Sequence, residues 1–100
     1  MTGIGVRIKE LRDERSLSMD ALVEAMRDTY ELRKLNKSML SRWERNENEP
    51  SLEYAKYLAM FFNVSLDYMI GLTDDRTPSE VLSRISAYYD KSKKLMEEDK

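Results

Sequence analysis

The sequence predicts an all-α fold, and three observations carry that expectation. Apolar residues recur at spacings of three and four rather than in alternation. Several of these periodic segments follow a Ser, Thr or Asn suited to capping a helix N-terminus. Each apolar stripe covers one side of its helix, so the helices must pack on one another to bury it.

The elements follow in order. Ile4, Ile8, Leu11 and Arg12 share one side of a first helix that runs to about Arg15. Ser18 caps a second, in which Leu22, Ala25 and Met26 face inward. Asn36 caps a third, with Leu40 and Trp43 on its inner face. Pro50-Ser51 starts a fourth, whose stripe is Leu52, Ala55, Leu58, Ala59 and Phe62. Val64 and the cap Ser65 open a short fifth helix with Leu66, Met69 and Ile70 inward, and Gly71 stops it. Between the second and third helices, RDTYELRKLN has neither Gly nor Pro. It can extend a helix or form an ordered loop, and Tyr30, Leu32 and Leu35 give it apolar area to lie against the body.

After Gly71 the polar stretch LTDDRTPSE breaks the pattern. Thr77, Pro78 and Glu80 then fit an N-cap, a first-turn proline and a capping-box glutamate. A sixth helix is expected from there, with Val81, Ile85, Tyr88, Ser92 and Leu95 in its stripe and Leu82, Tyr89 and Met96 beside it. The expected organisation is a five-helix domain over 1–72, a polar linker over 73–77 and an amphipathic C-terminal helix over 78–100.

Composition narrows the function. One hundred residues suit a single domain with a short appendage. The chain has no apolar run long enough to cross a bilayer, and its start lacks the apolar core of a secretory signal. A cytoplasmic protein is expected. With no Cys and no His, disulfides, common zinc sites, thiol nucleophiles and His-based acid–base sites are all absent. Asp74–Asp75 reads as part of a polar linker and cap, so neither an enzyme nor a cofactor is expected. The net charge of −2 hides a gradient. Residues 27–45 carry six basic side chains against three acidic, whereas residues 46–100 carry seven basic and eleven acidic. A basic face on an acidic body is an electrostatic footprint for DNA, although a solvated surface has the same composition.

The segments IKELRDERSLS, LNKSMLSRWERNENEPSL and LAMFFNVSLDYMIG resemble the Cro/CI-type helix-turn-helix family, the N-terminal DNA-binding domain of temperate phage repressors. The resemblance covers roughly residues 5–72 and is strongest in SMLSRWERNENEPSL. It implies a phage-repressor-like domain whose third helix enters the major groove of duplex DNA. The base-contacting places then fall on Lys37, Ser38 and Arg42. Arg42 suits bidentate contact to guanine, and Lys37 can reach the same acceptors or a phosphate. Ser18, Asn36, Ser41 and Arg45 are expected as additional or phosphate contacts. Arg12 and Glu44 match the family's partly buried ion pair between the first and third helices, which implies a structural role.

Three features depart from that pattern. The second and third helices are joined by a longer connection, as in an atypical branch of the family; its Arg27, Arg33 and Lys34 either add phosphate contacts or form a solvated face. Met19 replaces a common phosphate-binding Gln, and ENE follows the third helix where some members are basic. These changes imply modest monomer affinity and raise the value of a homodimer. Tyr57, Phe61 and Tyr68 are expected to face outward and, with Val81, Ile85, Tyr88 and Leu95, to supply the dimer or tail-packing surface. The expected function is a sequence-specific repressor of phage or prophage-type promoters. It would bind a double-stranded operator and could be opposed by an antagonist or antirepressor protein. The alternative is an antitoxin-type autoregulator that binds DNA and a partner protein.

Overall fold

The computed structural model describes residues 3–78. Five helices lie among them: α1 (Ile4–Glu14), α2 (Met19–Tyr30), α3 (Lys37–Glu44), α4 (Leu52–Phe62) and α5 (Leu66–Met69). No strand occurs among the described residues. Four helices begin on a side-chain cap. The backbone N–H groups of Ala21, Met39, Tyr54 and Tyr68 donate to Ser18, Asn36, Ser51 and Ser65 at 2.9–3.2 Å. Each such cap is worth about 1 kcal/mol, because it satisfies a donor that the first turn leaves open. The turns after α1 to α4 each contain a left-handed residue, at Ser16, Glu31, Asn46 and Asn63.

The inward faces meet in one core. Ile8, Leu22, Met26, Leu35, Leu40, Leu58 and Met69 are almost fully excluded from solvent. Burying an aliphatic side chain of this size stabilises the fold by about 1.5–3 kcal/mol. Helix α3 packs against both α1 and α2, while α5 packs against α4 and α1. The connection between α2 and α3 divides in two: RDTY completes α2, and residues 31–36 form a loop pinned by buried Leu35 and half-buried Leu32.

Two expectations about exposed aromatics are corrected. Tyr57 and Tyr68 are buried, at 9% and 2% exposure, and Phe61 is half-buried. The extended α2 brings Tyr30 over Tyr57, with ring centroids 4.9 Å apart. Tyr68 is covered by the Arg7 guanidinium, 4.0 Å from its ring centroid, and by Arg76 at 5.1 Å. Tyr57 and Tyr68 are therefore core residues rather than an exposed dimer surface. Leu52 is corrected in the opposite direction: it is 70% exposed at the first turn of α4, beyond the core's edge.

The polar stretch expected as a linker, 73–77, lies against the body. Arg7 donates to Asp74 Oδ1 at 2.7 Å, and Arg76 makes a bidentate pair with Glu14 at 2.6 and 2.7 Å. Arg76 Nε also donates to the Tyr68 hydroxyl at 3.0 Å. The Ser65 N–H and hydroxyl donate to the carbonyls of Arg76 and Asp75. This strap is thus held by α1, by α5 and by the residue that caps α5. The expected sixth helix, with Val81, Ile85, Tyr88 and Leu95, lies outside the described residues.

Candidate nucleic-acid interface

Helix α3 has only eight residues, so its position depends on the body more than on its own length. Leu40 and Trp43, at 2% and 4% exposure, anchor its inner face. Trp43 also meets Tyr54 of α4, with centroids 5.3 Å apart. At the helix's C-terminal end, Gly5 of α1 passes directly beneath the Trp43 carbonyl, where a Cβ would have no room.

An ion pair completes the attachment. Arg12 Nε and Nη2 donate to Glu44 Oε2 and Oε1, both at 2.9 Å, while Nη1 donates to the Leu17 carbonyl at 2.8 Å. The two side chains are 11% and 4% exposed. The hydrogen bonds to Glu44 raise the Arg12 pKa against the opposing effect of burial, so the guanidinium keeps its charge. The fork joins α1, the turn after it and α3 in one bidentate contact.

With that face fixed, Lys37, Ser38 and Arg42 are exposed, as are Asn36 and Arg45 at the helix ends; Ser41 is half-buried. The cations differ in their partners. Lys37 Nζ lies 3.4 Å from Asp20 Oδ2, and Arg45 Nη2 lies 2.8 Å from Glu47 Oε2. Arg42 has no ion-pair partner among the described residues. Sequence reasoning missed Asp20 and Glu47. Asp20 stands 17 positions from Lys37, so no local spacing reveals the pair.

The remaining candidates divide into two groups. Arg27 joins Lys37 and Asn36 in a cleft between α2 and α3, whose other polar walls are Asp20, Glu24 and Asp28. Arg33 and Lys34 are exposed on the loop leading to Asn36. Ser18 is exposed at the start of α2, where its oxygen is already engaged as the cap, and Met19 beside it packs on the core. No group of His, Cys, Asp and Glu among the described residues could hold a metal ion. No helix among them is long and apolar enough to cross a membrane.

A capped α2, a connection, and a short α3 that buries one side and exposes a basic other define a helix-turn-helix unit. A helix-turn-helix family model matches residues 8–69, and the chain belongs to that family of non-catalytic DNA-binding transcriptional regulators. It is also similar to the "Uncharacterized HTH-type transcriptional regulator YobD" of Bacillus subtilis (strain 168). The two are 29% identical over 85 residues, 85% of this chain and 70% of that protein. No solved structure matches.

Proposed function

We propose that this protein is a sequence-specific repressor that reads duplex DNA with α3, at a promoter of phage or prophage type. One observation carries the base-reading role: Lys37, Ser38 and Arg42 are exposed on a helix whose opposite face is anchored by Leu40, Trp43 and the Arg12–Glu44 fork. A side chain on a fixed helix can register against base edges; on a loosely held helix it cannot. Arg42 is the reader for guanine O6 and N7, Lys37 contacts a neighbouring base or phosphate, and Ser38 and Ser41 add short hydroxyl contacts. Asn36, Ser18 and Arg45 flank the backbone. Arg27 beside α3, with Arg33 and Lys34 on the loop, extends the phosphate footprint. The phage-type assignment rests on the sequence resemblance.

Repression follows from occupying a promoter and excluding polymerase, and a two-fold homodimer supplies the contacts that a monomer lacks. Such pairing sets half-sites about 34–36 Å apart, one DNA turn. Phe61 and the segment bearing Val81, Ile85, Tyr88 and Leu95 are the candidate dimer elements. Sedimentation of the full chain and of the chain truncated after residue 78 tests this: the full chain dimerises on its operator and the truncated one does not. A full chain that remains a monomer on a single half-site overturns the dimer.

The base-reading role is tested with a duplex selected from a random library and a scrambled duplex of equal length. Arg42→Ala weakens the selected duplex by about 1–3 kcal/mol and relaxes preference at one position. Equal loss on both duplexes would assign Arg42 to phosphate. A reporter behind the native promoter rises when the protein is removed; a fall would reverse the regulatory sign.

A further inference from the structure

We propose that Asp20 and Glu47 are built-in counter-charges that restrain sequence-independent attraction of the third helix to DNA phosphate. The inference rests on the duplex-binding role proposed above and assigns two residues that no family position suggested. Helix α3 and its cap carry three cations, and among the described residues the two at the ends have a carboxylate partner while the middle one has none. Lys37, the first residue, sits 3.4 Å from the Asp20 carboxylate, and Arg45, the C-cap, sits 2.8 Å from that of Glu47.

Both carboxylates are delivered by ordered backbone. Asp20 belongs to the first turn of α2, just after the Ser18 cap, and the same helix buries Leu22 and Met26. Glu47 follows the left-handed Asn46, and its N–H donates to the Arg42 carbonyl at 2.9 Å. Neither pair is buried: Lys37 and Asp20 are 60% and 73% exposed, and Arg45 and Glu47 are 61% and 54% exposed. Exposed pairs of this kind are weak enough to be exchanged for another anion.

The exchange has a consequence at a DNA surface. A phosphate that recruits Lys37 or Arg45 must share the cation with a carboxylate or displace it, and either way that second negative charge stays nearby. The free-energy gain from counterion release is smaller by that amount. Arg42 meets no such competitor among the described residues, so its contact to a base edge keeps its full value. Glu24 and Asp28 line the same cleft as Asp20, so its three carboxylates outnumber its two cations, Arg27 and Lys37, beside the N-terminal end of α3. Phosphate contacts made by these two cations, common to every duplex, are thereby discounted relative to the Arg42 contact that reads sequence.

The test is a salt titration of binding to the scrambled duplex by the full-length protein. Asp20→Asn with Glu47→Gln should bind it about 3- to 10-fold tighter at moderate salt, and the log–log salt slope should steepen by about 0.9 for each additional phosphate neutralised. Asp20→Glu with Glu47→Asp keeps both charges and should match wild type, which separates a charge effect from altered packing. Unchanged affinity and slope in the neutralised variant, with wild type binding normally, overturn the counter-charge role alone. If wild type binds neither the scrambled nor the selected duplex at any salt, the repressor reading fails and the inference falls with it.

Discussion

Glu44 and Lys37 stand at opposite ends of one short helix, and each is ion-paired to a residue from an earlier element. The Arg12–Glu44 fork is bidentate, with side chains 11% and 4% exposed, whereas Lys37–Asp20 is a single contact at 3.4 Å with side chains 60% and 73% exposed. Opposite charges of the same types serve different ends because their solvation differs. Removing one partner of the buried fork leaves a charge that water scarcely reaches; removing one partner of the exposed pair leaves a charge that water solvates at once. The inner end of α3 is thus made rigid, and its outer face remains free to change partners. A recognition surface needs both properties: fixed geometry behind and exchangeable charge in front.

The largest expected effect breaks the fixed side. Glu44→Ala removes both short hydrogen bonds from buried Arg12 to a carboxylate, leaving it the Leu17 carbonyl and the more distant Asp13 at 3.8 Å, and should destabilise the protein by about 3–5 kcal/mol. Trp43, the chain's one tryptophan, makes urea unfolding readable by fluorescence. A loss below about 1 kcal/mol would place the fork with the exposed pairs.

Gly5→Ala attacks the same attachment without touching a charge. Helix propensity favours Ala by roughly 1 kcal/mol. The new Cβ, however, collides with the Trp43 carbonyl, a backbone atom that cannot swing aside. Overpacking should win, with a net loss of about 1–3 kcal/mol and weakened duplex binding as α1 and α3 separate. A more stable variant would show that the two helices have slack between them.

The strap at 73–77 offers an intermediate case, readable through pH. The hydrogen bonds from Arg76 lower the Glu14 pKa from its ordinary 4.5, and the Thr77 N–H lowers that of Asp75. Carboxylates with depressed folded-state pKa values stabilise the fold above their ordinary range, and that contribution is lost as pH falls through the lowered values. Arg76→Met should reduce Tm modestly at neutral pH, and the gap from wild type should close on acidification below 4.5. A gap independent of pH would assign the role of Arg76 to its packing on Tyr68.

The smallest effect sharpens the exposed side. A double-mutant cycle on Asp20 and Lys37 should give a coupling energy in folding of about 0.2–1 kcal/mol. Folding stability measured for the four proteins of the cycle checks this. Coupling of several kcal/mol would mean that the pair is structural and erase the contrast with Arg12–Glu44.

By itself, the sequence determined the five helices, three of their caps (Ser18, Asn36 and Ser65), the start of the fourth at Pro50-Ser51 and most of the inward residues. The reason is that these depend on neighbours within a turn or two. Ser18, Asn36, Ser51 and Ser65 meet a backbone N–H three residues ahead, and Leu40 and Trp43 share a face because of helical pitch. The exposed Lys37, Ser38 and Arg42 follow from the same pitch once Leu40 and Trp43 are anchored. The family resemblance supplied the meeting of Arg12 with Glu44, which no local rule contains. Tertiary structure decided the rest. Tyr57 and Tyr68 look outward along their own helices, yet Tyr30, Arg7 and Arg76 cover them from elsewhere in the chain. Arg7 and Asp74 are 67 positions apart, and Lys37 and Asp20 are 17 apart. Such contacts depend on how the helices pack, and charge and periodicity along the chain do not encode which distant partner arrives.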